Sequence, residues 1–266
     1  MTLKVSTIIP TFRRPLELEE TVRSVLAQEG PVEVVVVDDS PEGAAQAVIE
    51  KFEDSRVRWF KMAKPTGGVP GLVRNFGLTQ ADGELVHFLD DDDVVPRGHY
   101  ARARRFFEEH PKVGALFGKV APFGVDDKAL AHEHEFFSDA ARRASRCNQL
   151  GAQAFAAVQA FQQTMLVCSA GMSRRTAVDA AGAFDPDVRM VEDVDYYARV
   201  FQKFPAAFLD EVTIHYRIGP SLMHSRLNDE KIVVSYNHMH ARYRRELGQA
   251  RYLALKVYAK SLLRFL

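Results

Sequence analysis

The chain has 266 residues, 47% hydrophobic and 26% charged, with 35 Lys and Arg balancing 35 Asp and Glu. Those values exclude collagen, disorder and a short disulfide scaffold, and they leave no global basic field to argue for nucleic acid. Two cysteines, Cys147 and Cys168, are too few for a disulfide framework or a thiolate zinc site. The N-terminal stretch MTLKVSTIIPTFRR has no long apolar region or cleavage signal, and no run of about eighteen apolar residues follows, so a cytoplasmic globular protein without a membrane span is expected.

Short β-branched runs at residues 5–9, 32–37, 57–60 and 85–89 predict strands, with helices between them. Pro15 is suited to opening the first helix, where Leu18, Val22, Val25 and Leu26 recur at helical spacing until Gly30-Pro31. The run VEVVVV lacks polar alternation, as in a strand covered on both faces, so the sheet should be mostly parallel with helices on each side. Ligands of such sheets gather at the carboxyl ends of the strands.

From about Gly118 the rhythm changes, and residues 119–163 read as a helical, partly irregular insertion, followed by a strand at 164–168. A turn at GAFDP, a helix over about 191–203 and two short strands at 207–209 and 212–216 come next. No internal repeat or flexible linker divides the chain, which reads as an α/β domain over residues 1–225 with a helical appendage over 226–266.

Acids fall at the strand ends. The second strand runs into Asp38-Asp39-Ser40 and the fourth into four consecutive aspartates, Asp90 to Asp93. A solvated turn would also use Asp, but four adjacent carboxylates after an apolar strand repel one another unless a cation screens them. Hard divalent ions prefer such oxygens, and Mg²⁺ commonly combines one or two carboxylates with substrate phosphates. A diphosphate ligand with Mg²⁺ or Mn²⁺ is therefore expected, Asp90 and Asp92 being the natural ligand pair. Between these strand ends runs TGGVPGLVRNFG, a Gly-rich loop including Gly68 that enters a helix but matches neither the P-loop nor the dinucleotide fingerprint. A third acidic group, Glu192-Asp193-Val-Asp195, opens a helix, where acids also compensate the helix dipole.

Taken in order, STIIPTFRR, VVVVDDS, GLVRNFGL, ADGELVHFLDDDDVVP and GAFD followed by EDVDYYARV resemble glycosyltransferase family 2, the inverting class with the GT-A fold. The resemblance covers about residues 4–217. It implies a hexosyltransferase-type enzyme that moves sugar from a nucleoside diphosphate sugar, most commonly a uridine diphosphate sugar, to a glycan or lipid-linked acceptor. It also implies nucleotide contacts at Pro10, Thr11, Arg13 and Asp39, a diphosphate contact at Arg74, a divalent cation on Asp90 and Asp92, and a catalytic base at Asp193. LDDDDVVP has one residue fewer before Pro96 than the usual pattern, which keeps Asp91 in the ligand set as well. His215 and Arg217 fall where relatives close over the diphosphate. The insertion, with its His132-x-His134 pair, is left to shape the acceptor site or a contact between copies. A non-catalytic nucleotide-sugar or metal-binding regulator on the same fold is the reading from a different class; the intact Glu192-Asp193 pair favours the enzyme.

Near the C-terminus, Arg242, Arg244, Arg245, Arg251, Lys256, Lys260 and Arg264 face only Glu246. Projected as one helix, Arg242, Arg245, Lys256, Lys260 and Arg264 oppose Leu247, Ala254, Tyr258, Leu262 and Phe265. That pattern suits peripheral contact with the inner face of a membrane, or docking on the catalytic domain.

Overall fold

The computed structural model describes residues 2–161, 167–219, 229–262 and 264. In chain order the elements are β1 (Val5–Thr11), α1 (Pro15–Leu26), β2 (Val32–Asp38), α2 (Gln46–Ile49), β3 (Val57–Lys61), α3 (Pro70–Gln80), β4 (Leu85–Phe88) and α4 (His99–Glu109). There follow β5 (Ala115–Gly124), α5 (Asp127–Leu150), α6 (Ala152–Phe161), β6 (Gly171–Arg174), α7 (Arg175–Ala181), α8 (Glu192–Lys203), β7 (Ala206–Ile218), α9 (Asp229–Leu247) and α10 (Gln249–Leu262). The strands form one seven-stranded sheet in the order β3-β2-β1-β4-β6-β5-β7. Only β6 runs antiparallel to its neighbours, β4 and β5; the other pairs are parallel. This is the mixed α/β, mostly parallel GT-A arrangement.

The first half follows directly from its apolar patterning. All seven residues of β1 and of β2 are buried, because α1 lies over one face and α3 over the other. Full burial of a Val or Ile is worth about 1.5–3 kcal/mol, so two such strands fix the register of the central sheet. Parallel β1, β2 and β4 end together, which brings Thr11, Asp39 and the aspartates after Phe88 to one rim.

The second half departs from the sequence expectation in four ways. The insertion begins with α5 at Asp127, not at 119, because residues 115–124 extend the sheet as β5 and pair along β7. It is two continuous helices that meet at Gly151, whose φ of 94° ends α5. Of the strand expected at 164–168, residues 164–166 lie outside the described residues; Cys168–Ala170 is a turn of 3-10 helix, and the strand is β6. The two short strands are one, β7, where register shifts around Lys119 accommodate Asp210 and Glu211 as an outward bulge.

The C-terminal segment is two helices, since Gly248 at φ 76° breaks the chain between α9 and α10. The single-helix projection therefore does not hold. Tyr252, Ala259 and Leu262 are buried and Leu247 and Tyr258 pack against the core, so the apolar side is docked on the protein. Arg242 leaves the basic face altogether and pairs with Asp185 and Asp195. What α10 presents outward is Leu253 and Val257 beside Lys256 and Lys260, with Arg264 exposed beyond its end; Phe265 lies outside the described residues. Among the described residues no helix is long and apolar enough to cross a membrane.

Candidate active site

A cleft of about 640 Å³ opens above the strand ends. It gathers Pro10, Thr11, Asp39, Gly68, Arg74, Asp90, Asp91, Asp92 and Asp193, residues up to 183 positions apart in sequence, leaving out only Arg13 of the expected set.

On the β1 side, Thr11 Oγ1 donates to Asp91 Oδ2 at 2.7 Å, and the Phe12 amide donates to the same oxygen at 3.4 Å. Arg13 takes a positive φ of 58°, and its guanidinium turns outward to an exposed bidentate pair with Glu42, at 2.6 and 3.1 Å. Arg14 enters the cleft in its place: Nη1 donates to Asp91 Oδ1 at 3.1 Å and to Asp92 Oδ2. The sequence offers two adjacent arginines, and only the backbone turn between strand and helix selects the second.

On the β2 side the two aspartates divide their roles. Asp38 is fully buried and accepts from the backbone amides of Ser40 and Ala45, which closes the turn after the strand. Asp39 instead accepts from the amide and hydroxyl of Thr66, at 2.6 and 2.7 Å, and from the Gly68 amide at 3.3 Å. The Gly-rich loop is thereby tied to the strand end, and Gly67 and Gly68 adopt positive φ there. At Gly71, a side chain would lie 3.1 Å from Phe184 Cβ and 3.3 Å from Glu192 Cγ, so glycine lets α3 approach the start of α8.

Arg74 sits one turn into α3 and joins the two acidic groups. It is buried, with Nη2 donating to Asp90 Oδ1 at 2.6 Å and Nη1 to Glu192 Oε1 at 2.9 Å, over the Phe184 ring. Beneath the acidic turn, Thr7, Tyr100 and His87 form a buried chain whose His87 Nε2 reaches the Ser169 carbonyl at 2.8 Å. A neutral ring protonated at Nε2 satisfies both of its contacts, and burial pushes its pKa down to about 4. Ser169 in turn accepts from the Asp90 amide through Oγ at 3.1 Å, which fixes where the turn begins.

The four aspartates are not equivalent. Burial, then the charge of Asp92, pushes Asp91 up to about 7 against the opposing pull of Arg14 and Thr11. Burial also raises Asp92, which Arg14 partly offsets, and raises Asp93, to which Asp90 and Asp92 add repulsion. Asp93 does not line the cleft; it accepts from the Arg217 amide at 3.0 Å while its other oxygen, buried, has no partner among the described residues. This cluster has too little positive charge for its carboxylates, which is the condition a divalent cation relieves. The residues therefore fit a hard cation presented by Asp90 to Asp92. A separate group, Asp185, Asp187 and His238, brings ligand atoms within 4.8 Å of one another, but Arg242 already supplies Asp185 with a positive charge.

Asp193 follows Val191, a β-branched residue held at φ 59°, an uncommon conformation that turns the chain sharply into α8. Its carboxylate faces the cleft; burial and the neighbouring Glu192 raise its pKa, against Arg74. Asp195, two residues on, is fully buried and turned away.

His215 and Arg217 part company. His215 exchanges two backbone hydrogen bonds with Val94, at 3.0 and 2.9 Å, and is not part of the cleft wall. Arg217 lines the cleft and braces the acidic turn, with Nε donating to the Asp92 carbonyl at 2.8 Å and Nη2 to Glu20. Besides Arg14, the wall contains Glu17, Glu133 from α5, Tyr216 from β7 and Ile232 from α9, none of which the sequence singled out. No local motif marks Glu133 and Ile232, which the insertion and the C-terminal helix bring in from a distance.

Residues 6–179 match Glycosyl transferase family 2. Over 111 residues the chain is 33% identical to the poly(ribitol-phosphate) beta-N-acetylglucosaminyltransferase TarS of Staphylococcus aureus, covering 41% of this chain and 19% of that protein. It is 37% identical over 98 residues to the GalNAc(5)-diNAcBac-PP-undecaprenol beta-1,3-glucosyltransferase of Campylobacter jejuni, covering 36% and 31% respectively. The chain thus spans less than a third of the length of either relative. Its fold is similar to that of S. aureus TarS residues 1–349 crystallised with UDP-GlcNAc, with a TM-score of 0.71 at 20% identity over 97% of this chain and 71% of that one. With the motifs in the expected order around one cleft and the match covering most of the chain, this protein belongs to glycosyltransferase family 2.

Proposed function

We propose that the protein is a metal-dependent inverting glycosyltransferase that uses a UDP-sugar and transfers to a hydroxyl of a glycan or lipid-linked acceptor. The observation that carries the reading is the convergence of Asp90, Asp92, Arg74 and Asp193 on one cleft above the sheet. Support for the donor comes from TarS, a relative in sequence and fold whose structure was solved with UDP-GlcNAc. Residues 1–225 act as the catalytic unit, and 226–266 brace it.

In this mechanism Pro10, Thr11 and Asp39 border the nucleoside, with Gly68 letting the loop backbone come close. Asp90 and Asp92, with Asp91 beside them, would hold Mg²⁺ or Mn²⁺, which would supply charge neutralisation to the leaving diphosphate. Arg74 stays bonded to Asp90 and Glu192, keeping donor and base sides in a fixed relation. Asp193 accepts the proton of the acceptor hydroxyl as its oxygen bonds to the anomeric carbon and the sugar–phosphate bond breaks. One displacement inverts the anomeric configuration. The raised pKa of Asp193 suits a base working near neutrality. Arg14 takes over the role expected of Arg13 on the donor side.

Nucleotide release from UDP-, GDP- and dTDP-sugars, with Mn²⁺, Mg²⁺ or EDTA, tests this reading. Release from a UDP-sugar that EDTA abolishes is expected. Nucleotide-sugar binding without release from any donor would favour the non-catalytic regulator.

A further inference from the structure

The cleft has a second wall, built by α5, the end of β7 and α9, that faces the strand ends. Its polar groups are Glu133, half-buried on α5, Tyr216, whose ring is held edge-on by Phe137 at 5.3 Å, and Arg217, whose guanidinium is turned to Glu20 and the Asp92 carbonyl. Glu133 pairs with no cation among the described residues. Its charge reaches Tyr216, which burial and then the carboxylates of Asp93, Asp90, Asp92 and Glu133 drive upward in pKa.

Eight carboxylates and three guanidinium groups line the whole cleft among the described residues. All three arginines are engaged: Arg14 with Asp91 and Asp92, Arg74 with Asp90 and Glu192, Arg217 with Glu20 and the acidic turn. A donor diphosphate and a divalent cation would roughly cancel, so the surplus of negative charge persists with the donor in place. Among the described residues, no arginine of the cleft is left unbonded to neutralise an acceptor phosphate. A half-buried carboxylate without a cation instead calls for hydroxyl or ammonium donors.

We propose that the acceptor bound by this wall is a glycan segment free of phosphate and carboxylate groups, its hydroxyl or amino groups received by Glu133 beside the Tyr216 ring. The inference rests on the glycosyltransferase reading above and adds the acceptor's charge class. Anionic acceptors are rejected by like charge rather than by shape, and Glu133 is the residue of the insertion that sets this.

The test is equilibrium binding of three labelled probes of matched length to the full chain with Mn²⁺ and UDP: a glucosamine tetramer, its N-acetylated neutral counterpart, and a polyol-phosphate tetramer. The amine-bearing and neutral probes are expected to bind at least tenfold more tightly than the phosphate probe. In Glu133→Lys the ratio of amine-bearing to phosphate affinity should fall at least tenfold, and Glu133→Gln should move it the same way by less. Equal or tighter binding of the phosphate probe, ratios unchanged in both variants, or no binding of any probe by protein that still releases nucleotide would overturn the proposal. Absence of nucleotide release from every donor would instead strike the glycosyltransferase reading, whichever probe binds.

Discussion

Two acidic groups in this chain, residues 90–93 on the sheet rim and Asp185 with Asp195 beneath α9, are treated oppositely by their arginines. At the rim, Arg14 and Arg74 each serve two carboxylates, and burial leaves Asp91, Asp92 and Asp93 raised. Beneath α9, Asp195 alone receives Arg199, Arg242 and the Tyr243 hydroxyl. Asp185 is opposed by burial, yet the Asp187 amide, Arg242 and His238 together hold it below its usual range. The supply of positive charge separates a rim whose carboxylates would suit a cation from a buried brace.

The largest expected effect is at the rim. Asp92→Asn should abolish transfer and nucleotide release while leaving the melting temperature within a few degrees, and EDTA should reproduce the loss in the wild type. Full activity in excess EDTA would remove the metal from the account.

In the brace the expected effect is on folding. Arg242→Ala leaves Asp185 and Asp195 short of a buried partner, which costs about 3 kcal/mol and lowers Tm by roughly 6–12 °C. Thermal unfolding should register that drop, with nucleotide release per folded molecule changing little.

The pH profile joins the two sides of the cleft. The proposed base, Asp193, can accept a proton only when ionised, so kcat should fall as pH drops through its pKa, which lies above the ordinary carboxylate range. Glu192 raises that pKa by like charge; Glu192→Gln should therefore shift the acid limb to lower pH. An acid limb that stays fixed in this variant would separate Asp193 from the titrating group.

The smallest effect separates neighbouring arginines. Arg13→Ala removes an exposed, solvent-screened pair and should change kcat/KM by no more than about twofold and leave the melting temperature nearly unchanged. Arg14→Ala should lower kcat/KM more than tenfold, because two cleft carboxylates lose their shared cation.

What could be read from sequence divides along the same line as the structure. β1, β2 and β4 are short, apolar and end in polar residues, so local patterning is enough to bring Thr11, Asp39 and Asp90 to one rim. The place of Asp193 on the cleft wall follows its motif, although the turn that aims it depends on a strained Val191. The choice of Arg14 over Arg13 hangs on one backbone dihedral, which composition does not encode. Glu133 and Tyr216 reach the cleft through packing of α5 against β5 and β7, a long-range event with no local signature. Likewise, the basic stripe near the C-terminus is periodic, but Gly248 divides it and Asp195 draws Arg242 inward.

The most direct test pairs Asp193→Asn with Asp195→Asn, two isosteric changes two residues apart. The account predicts that Asp193→Asn lowers kcat by about 10²–10⁴-fold with UDP affinity and Tm nearly unchanged. Asp195→Asn should lower Tm while sparing turnover per folded molecule. If Asp193→Asn instead unfolds the protein at unaltered turnover per folded molecule, the acid is a helix-start residue and the assignment of the base is wrong.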